Sequence, residues 1–344
     1  MSRIRTGAAV LTLTAALTAA LAGAVLAGIA LGSVPIPPGR VLSVLLGTEP
    51  PGPLTAIVWD VRLPRILLGA LVGAGLALTG AVLQALVRNP LADPFLLGAS
   101  SGASAGAVAV IVLGGSAGLL GGLGLPAAAF LGAFAALLLV HVLARREGGV
   151  TGGRLVLAGV AVQYVLSALT SLVLVLGASA DEVRAVLFWT LGGLGGARWD
   201  ALPVPLAALL LGGALLIALA RPLDLLLAGE EDARTLGLNT GRFRALAFVL
   251  TSLVIGVLVA QSGAIGFVGL MVPHAVRLVV GAGHRALLPV SALAGAAFLV
   301  WADLLARTAA APREIPVGVI TALVGGPFFL WLLRRGRRAR QVLG

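Results

Sequence analysis

Long stretches of this chain carry no charge, and their lengths are those of membrane spans. The charge-free windows are 6–39, 66–87, 94–144, 155–180, 201–220, 245–276, 286–302 and 315–333. A helix needs about 20 apolar residues to cross the hydrocarbon core of a bilayer. Charged residues make up 11% of the chain and hydrophobic ones 59%, against roughly 25% charged in a soluble domain. So few charges cannot cover a water-facing surface. The fold class is therefore all-α integral membrane, a polytopic bundle, and soluble enzymes are excluded.

Two windows are too long for one span. Window 94–144 is broken by Gly114-Gly115 and by the stretch from Gly121 to Pro126, so it holds two helices. Window 245–276 breaks near Gln261-Ser262-Gly263, and a second helix runs on to about Gly281, carrying Arg277. The expectation is ten transmembrane helices in a single domain covering residues 1–344. The N-terminal apolar run exceeds a signal-peptide h-region of about 7–15 residues and reads as an uncleaved first span. Ten is even, so both termini share one side. The run from Arg334 to Arg340 sets that side as cytoplasmic by the positive-inside rule. Alternate threading then puts 17 of the 24 arginines inside, and Arg40, Arg62, Arg65, Arg184, Arg198, Arg307 and Arg313 outside. The net charge of +11 is thereby assigned to membrane-flanking loops, with no nucleic-acid partner.

Several absences narrow the chemistry. There is no Cys, and all 24 basic residues are Arg. Thiolate metal sites, iron–sulfur clusters and Cys nucleophiles are excluded. So are a Schiff-base lysine and a Walker A loop, whose lysine reaches the phosphates. The three His are far apart, and no cluster has metal-ligand spacing. Within spans, Asp303 and Arg307 stand at i and i+4 and can pair, while His141, His274 and Arg277 lie near inner ends. No acid is found near a midplane, which a proton- or sodium-coupled carrier requires. Glycines are frequent in the spans: Gly69, Gly73, Gly75 and Gly80 in one, and Gly98, Gly102 and Gly106 spaced by four in another. Close helix packing accounts for them.

Two segments lie outside the spans. Residues 222–242 form the largest inner loop, with three consecutive acids from Glu230 to Asp232 and apolar Leu225, Leu226, Ala233 and Leu236. Gly229 and Gly237 bracket a helix of about two turns, Gly237 being placed as its C′ residue. Such a helix suits docking of a partner. Residues 181–200 read as a short interfacial helix and a turn on the outside. What emerges is an uncharged bundle with a docking loop and no energy source of its own. A secondary carrier or channel for a small solute stands as the rival reading.

Long motifs then identify a family. RLPRILLGALVGAGLALTGAVLQALVRNPLADPFLLGASSGA runs from Arg62. GAIGFVGLMVPHAVR spans Gly263 to Arg277, HRALLP His284 to Pro289, ADLLART Ala302 to Thr308, and PREIPVGVITALVGGPFFLWLL Pro312 to Leu333. In this order, over about residues 55–335, they resemble the permease subunits of ABC importers for iron–siderophore complexes, haem and cobalamin. The resemblance implies the type II importer permease fold, in the bacterial cytoplasmic membrane. It implies a second permease copy, with a homodimer expected and the path between copies. Two cytoplasmic ATP-binding subunits and an extracytoplasmic substrate-binding protein complete the assembly. ATP belongs to the partner subunit, and this chain is expected to bind no cofactor and no metal.

Residue roles follow motif by motif. Arg62 and Arg65 of RLPR and Arg307 of ADLLAR match the arginines that hold acidic residues of the binding protein, a task suited to bidentate guanidinium pairing. The loop Ala228–Leu238 matches the coupling helices that enter the ATPase, with Gly229, Glu230, Glu231, Ala233, Arg234, Leu236, Gly237 and Leu238 as its residues. Asn89 and Leu91 match one cytoplasmic gate. Gly152 and Gly153 fall where other members carry hydroxyl residues at a second gate, and are a departure from that pattern. Among the cargoes, an iron complex is favoured only as the family's broadest use.

Overall fold

A computed structural model of the protein describes residues 2–32, 34–90, 92–114, 124–146, 149–150 and 152–341. The elements are α1 (Ser2–Ala30), α2 (Pro38–Leu45), α3 (Pro53–Val87), α4 (Ala99–Leu113), α5 (Leu125–Ala144), α6 (Gly152–Gly177) and α7 (Ala180–Thr190). They continue as α8 (Trp199–Ala218), α9 (Ala220–Ala228), α10 (Glu230–Thr235), α11 (Thr240–Ser262), α12 (Val268–Val280), α13 (His284–Thr308) and α14 (Val317–Gln341). Among the described residues, seven helices are long and apolar enough to cross a membrane. Three shorter apolar helices, α4, α12 and the Val317–Leu332 part of α14, complete the ten.

Of the two breaks expected from sequence, the one near Gln261-Ser262-Gly263 falls at a glycine, and the one at Gly114-Gly115 and residues 121–126 lies mostly outside the described residues. α11 stops at Ser262, and Gly263 follows with φ +65°. Two boundaries differ. Window 6–39 is not one helix: α1 ends at Ala30 and a separate α2 opens at Pro38. Pro35, Pro37 and Pro38 lack the amide hydrogens a continuing helix needs. α3 begins 13 residues before its charge-free window, passing through Asp60, Arg62 and Arg65. Its arginines are buried and partnered, so charge does not end the helix.

α3 is the axis of the core, buried on almost every side from Ile66 to Val87 and packed against α11, α12 and α13. Small residues let these backbones meet. A Cβ on Gly73 would strike the Gly295 carbonyl of α13, and one on Gly295 would strike the Gly73 carbonyl. Gly102 of α4 meets Gly132 of α5 in the same way. Gly98 does not share the face of Gly102 and Gly106; it stands before α4 as its N-cap with φ +89°. Segment 92–98 turns back between the helices. Pro94 packs on Gly269 of α12, and Leu96 and Leu97 pack on Gly159 of α6.

The bundle has two ends. At the proximal end α1 and α13 begin, α3 finishes, and α6 starts. At the distal end α1 and α13 finish together, Arg307 reaching the Gly28 carbonyl, with the start of α3 beside them.

Candidate functional site

The charged side chains gather at the two ends, and the distal group is built by three helices. Arg65 of α3 donates from Nε and Nη2 to Asp303 Oδ1 at 3.0 and 2.9 Å. Its Nη1 donates to Glu314 Oε2 at 2.8 Å. Arg307, one turn after Asp303 on α13, pairs with Asp303 Oδ2 at 3.1 Å and donates to the Gly28 carbonyl. Arg62 donates to the carbonyl of Ile29 in the last turn of α1 and to that of Val34 just beyond it. Arg62, Arg65, Arg307 and Asp303 are 4, 7, 5 and 2% exposed, whereas the Glu314 side chain is 47% exposed. The three arginines and Glu314 line a cavity of about 210 Å³ together with Gly32, Val34, Ile57 and Val61. The expected arginines are thus brought together, facing two carboxylates, and each already has partners. The short string Asp303–Arg307 was legible as a pair; the participation of Glu314 was not.

The proximal group surrounds α10. Gly237 has φ +85°, and the Gly237 and Leu238 amides donate to the Arg234 and Ala233 carbonyls. This is the Schellman termination that a C′ glycine permits. Ala233 is buried, and Leu236 is 69% exposed. Glu231 and Asp232 are exposed as well. Glu230 turns inward: its carboxylate takes Arg234 Nη2 at 2.8 Å, Arg244 Nη1 at 3.1 Å and the Thr240 hydroxyl at 3.3 Å. Leu226 is buried on the separate helix α9, so the apolar positions of loop 222–242 divide between two short helices. Arg244 and Thr240 are partners that no local pattern announces.

Asn89 lies just after the C-cap of α3, where Arg88 has φ +55° and the Asn89 amide reaches back to the Gln84 carbonyl at 3.1 Å. Gly152 opens α6 against the Val87 carbonyl, with no room for a Cβ, and Gly153 is exposed beside it. The fold therefore brings Asn89 and Gly152 to the same proximal mouth. Leu91 lies outside the described residues. Close by, Asp93 is 5% exposed and accepts the Phe95 amide at 2.7 Å. Burial pushes its carboxyl up to about 6, the Phe95 hydrogen bond acting the other way. Asp93 sits between α3 and α4, and the inward turn of segment 92–98 buries it.

Between the two ends is a crevice of about 470 Å³. Ser100, Ser101 and Ser104 line it from α4, Gln163, Ser167, Thr170 and Ser171 from α6, and Thr190 from α7. All its polar side chains are hydroxyls or a carboxamide. α7 is the expected short helix at 181–200, although it starts earlier, through a capping box of Ser179 and Glu182. Among the described residues, no three His, Cys, Asp or Glu side chains are grouped to hold a metal.

Comparison with known proteins agrees with this architecture. The model of the FecCD transport family matches residues 17–335. The cobalamin import system permease protein BtuC of Halobacterium salinarum is 52% identical over 278 residues, covering 81% of this chain and 73% of that protein. The vitamin B12 import system permease protein BtuC of Klebsiella pneumoniae is 44% identical over 303 residues, covering 88% and 87%. A solved metal-chelate-type ABC transporter in an inward-facing conformation superposes with a TM-score of 0.80 at 33% identity, over 94% of this chain and 99% of that one. The chain belongs to the FecCD transport family and is the permease subunit of a type II ABC importer, with ATP hydrolysis left to another subunit.

Proposed function

We propose that this permease carries a corrinoid of the cobalamin class into the cytoplasm. The observation that carries the reading is the chemistry of the crevice between α4, α6 and α7. Eight hydroxyl or carboxamide side chains line it and no charged one does. Such walls hydrogen-bond a neutral, amide-fringed ligand. A chelate bearing several carboxylates or phenolates would leave its charges uncompensated there, at a desolvation cost. The relatives from Halobacterium salinarum and Klebsiella pneumoniae bear cobalamin and vitamin B12 in their names, which moves the choice away from an iron complex.

In this reading the proximal end is cytoplasmic, which the 17 arginines assigned to that side support. A second copy of the chain packs along α6, whose Leu157, Tyr164, Val175 and Leu176 are 72–82% exposed, and the path runs between the copies. α10 enters the ATPase through Glu231, Asp232 and Leu236, while Glu230, Arg234 and Gly237 hold its shape. Asn89, Leu91, Gly152 and Gly153 form the inner gate. Gly152 supplies backbone packing in place of a hydroxyl. The binding protein docks at the distal cluster, where its carboxylate replaces Glu314 on Arg65. ATP-driven movement of α10 then alternates the path between its two openings.

The test is ATP-dependent uptake in proteoliposomes holding the permease, its ATPase and its binding protein. Accumulation of cyanocobalamin is expected, without accumulation of an anionic ferric tricatecholate. Uptake of the ferric chelate alone would overturn the cargo assignment. Uptake persisting without the ATPase would overturn the importer mechanism.

A further inference from the structure

The N-terminus of α13 is capped by a residue from another segment. Gly283, at the N-cap position, has no side chain to offer, and the first amides of a helix need acceptors. The His284 amide donates to Asp224 Oδ1 at 2.9 Å. The His284 ring, 0% exposed, places Nδ1 2.6 Å from the same oxygen. A carboxylate only accepts, so Nδ1 carries the proton. Asp224 belongs to α9, which leads through Gly229 directly into α10.

The far end of the same helix holds the distal cluster. Asp303 follows His284 by 19 positions, about 29 Å along an α-helix at 1.5 Å per residue. Between the two ends, α13 meets α3 backbone to backbone at Gly73 and Gly295, and α3 carries Arg62 and Arg65. Neither glycine puts a side chain of its own between the two backbones. A displacement of α13 along its axis therefore changes how Asp303 meets Arg65, and α9, which packs against α13, is tied to its first turn by the Asp224 oxygen.

We propose that Asp224 is a positioning residue: its bond to His284 makes α13 the strut that links the coupling helix α10 to the distal arginine cluster. This rests on the roles of those two ends given above. A plain helix cap would contribute to folding alone, whereas the strut contributes to the coupling between two distant sites.

The experiment uses the assembled permease–ATPase complex in nanodiscs, with and without loaded binding protein. Three quantities are read: basal ATPase rate, the factor by which binding protein stimulates it, and the docking affinity. Asp224→Ala is expected to leave basal rate and affinity within about twofold and to cut the stimulation about tenfold, within the usual range of coupling energies. Asp224→Asn keeps an oxygen for the His284 amide. It is expected to assemble like the wild type with an intermediate loss of stimulation, and it is the variant read if Asp224→Ala fails to assemble. Wild-type stimulation in the variant read would overturn the strut. So would basal and stimulated rates falling by one common factor, which is the signature of a cap alone. A wild-type complex with no stimulation at all would instead overturn the roles assigned to the two ends.

Discussion

The distal and proximal charge groups repeat one design in two environments. Each has an acid followed one helical turn later by an arginine, Asp303–Arg307 and Glu230–Arg234, and each acid takes a second arginine from another helix, Arg65 or Arg244. The exposures diverge. The side chains of Asp303, Arg307 and Arg65 are 2, 6 and 9% exposed. Those of Glu230 and Arg234 are 29 and 56% exposed, with only Arg244 as buried as its distal counterpart. Pairing alone therefore says little about what a charge contributes. In the buried group, removing one member strands ions in a medium that cannot solvate them. In the open group, water takes over the bonds of the exposed members, Glu230 and Arg234.

The sharpest way to break this contrast is Asp303→Ala. It leaves Arg65 and Arg307 without their shared acceptor, and the expected cost is about 3–5 kcal/mol, the range for breaking a buried ion pair. The detergent-solubilised protein should lose its monodisperse peak in size-exclusion chromatography and aggregate at lower temperature. A variant as stable as the wild type would show that water enters the cluster. Glu230→Ala removes an acid with three partners instead of two, yet should cost less, about 1–2 kcal/mol, because Glu230 and Arg234 are open to solvent and only Arg244 is buried. The melting temperature should fall slightly, and co-purification with the ATPase should weaken more visibly. Equal losses in the two variants would erase the distinction between the ends.

The same contrast explains what the sequence could reveal. Ten spans were readable because apolar windows and glycine breaks are local properties. The start of α3 lies outside its charge-free window, which opens only after Arg65, whereas Asp303 reads as a member of its span. These two residues are each other's partners across 238 positions. No window shows such a contact, which is what allows both helices to continue. The short helix α10 was legible through Gly229 and Gly237, which act on their own backbone. The bonds that hold its surroundings, Glu230 to Arg244 and Asp224 to His284, join different helices and follow from packing alone. Motifs located the distal arginines without showing that they are buried and already paired.

Glu314 stands between the two extremes: its partner Arg65 is buried, but its own side chain is half exposed. Glu314→Gln should therefore change stability by less than about 1 kcal/mol. It should tighten docking of the binding protein a few-fold, since a neutral amide competes less well for Arg65 than a carboxylate. Surface plasmon resonance against the immobilised complex reads this directly, and the difference should shrink as salt rises. Weaker docking in the variant would show that Glu314 shapes the site and does not compete for it.

The smallest effect on folding is expected at the most exposed proximal positions, from Glu231→Arg combined with Leu236→Ala. Neither side chain is buried, and no hydrogen bond or ion pair of the Glu230 network passes through them. Truncating a leucine that is already 69% exposed removes little buried area, so thermal stability should stay within about 0.5 kcal/mol, as for other surface changes. Association with the ATPase should nevertheless fall at least tenfold. Partner binding loses both a protruding apolar contact and an acid replaced by its opposite, and charge reversal at an interface slows encounter as well as weakening the bound state. Titration of the purified ATPase onto permease in nanodiscs measures that loss, with thermal stability followed on the same sample. A variant that binds normally would move the coupling contact away from this face of α10. A variant that unfolds would mean that the proximal end, like the distal one, joins its function to its folding.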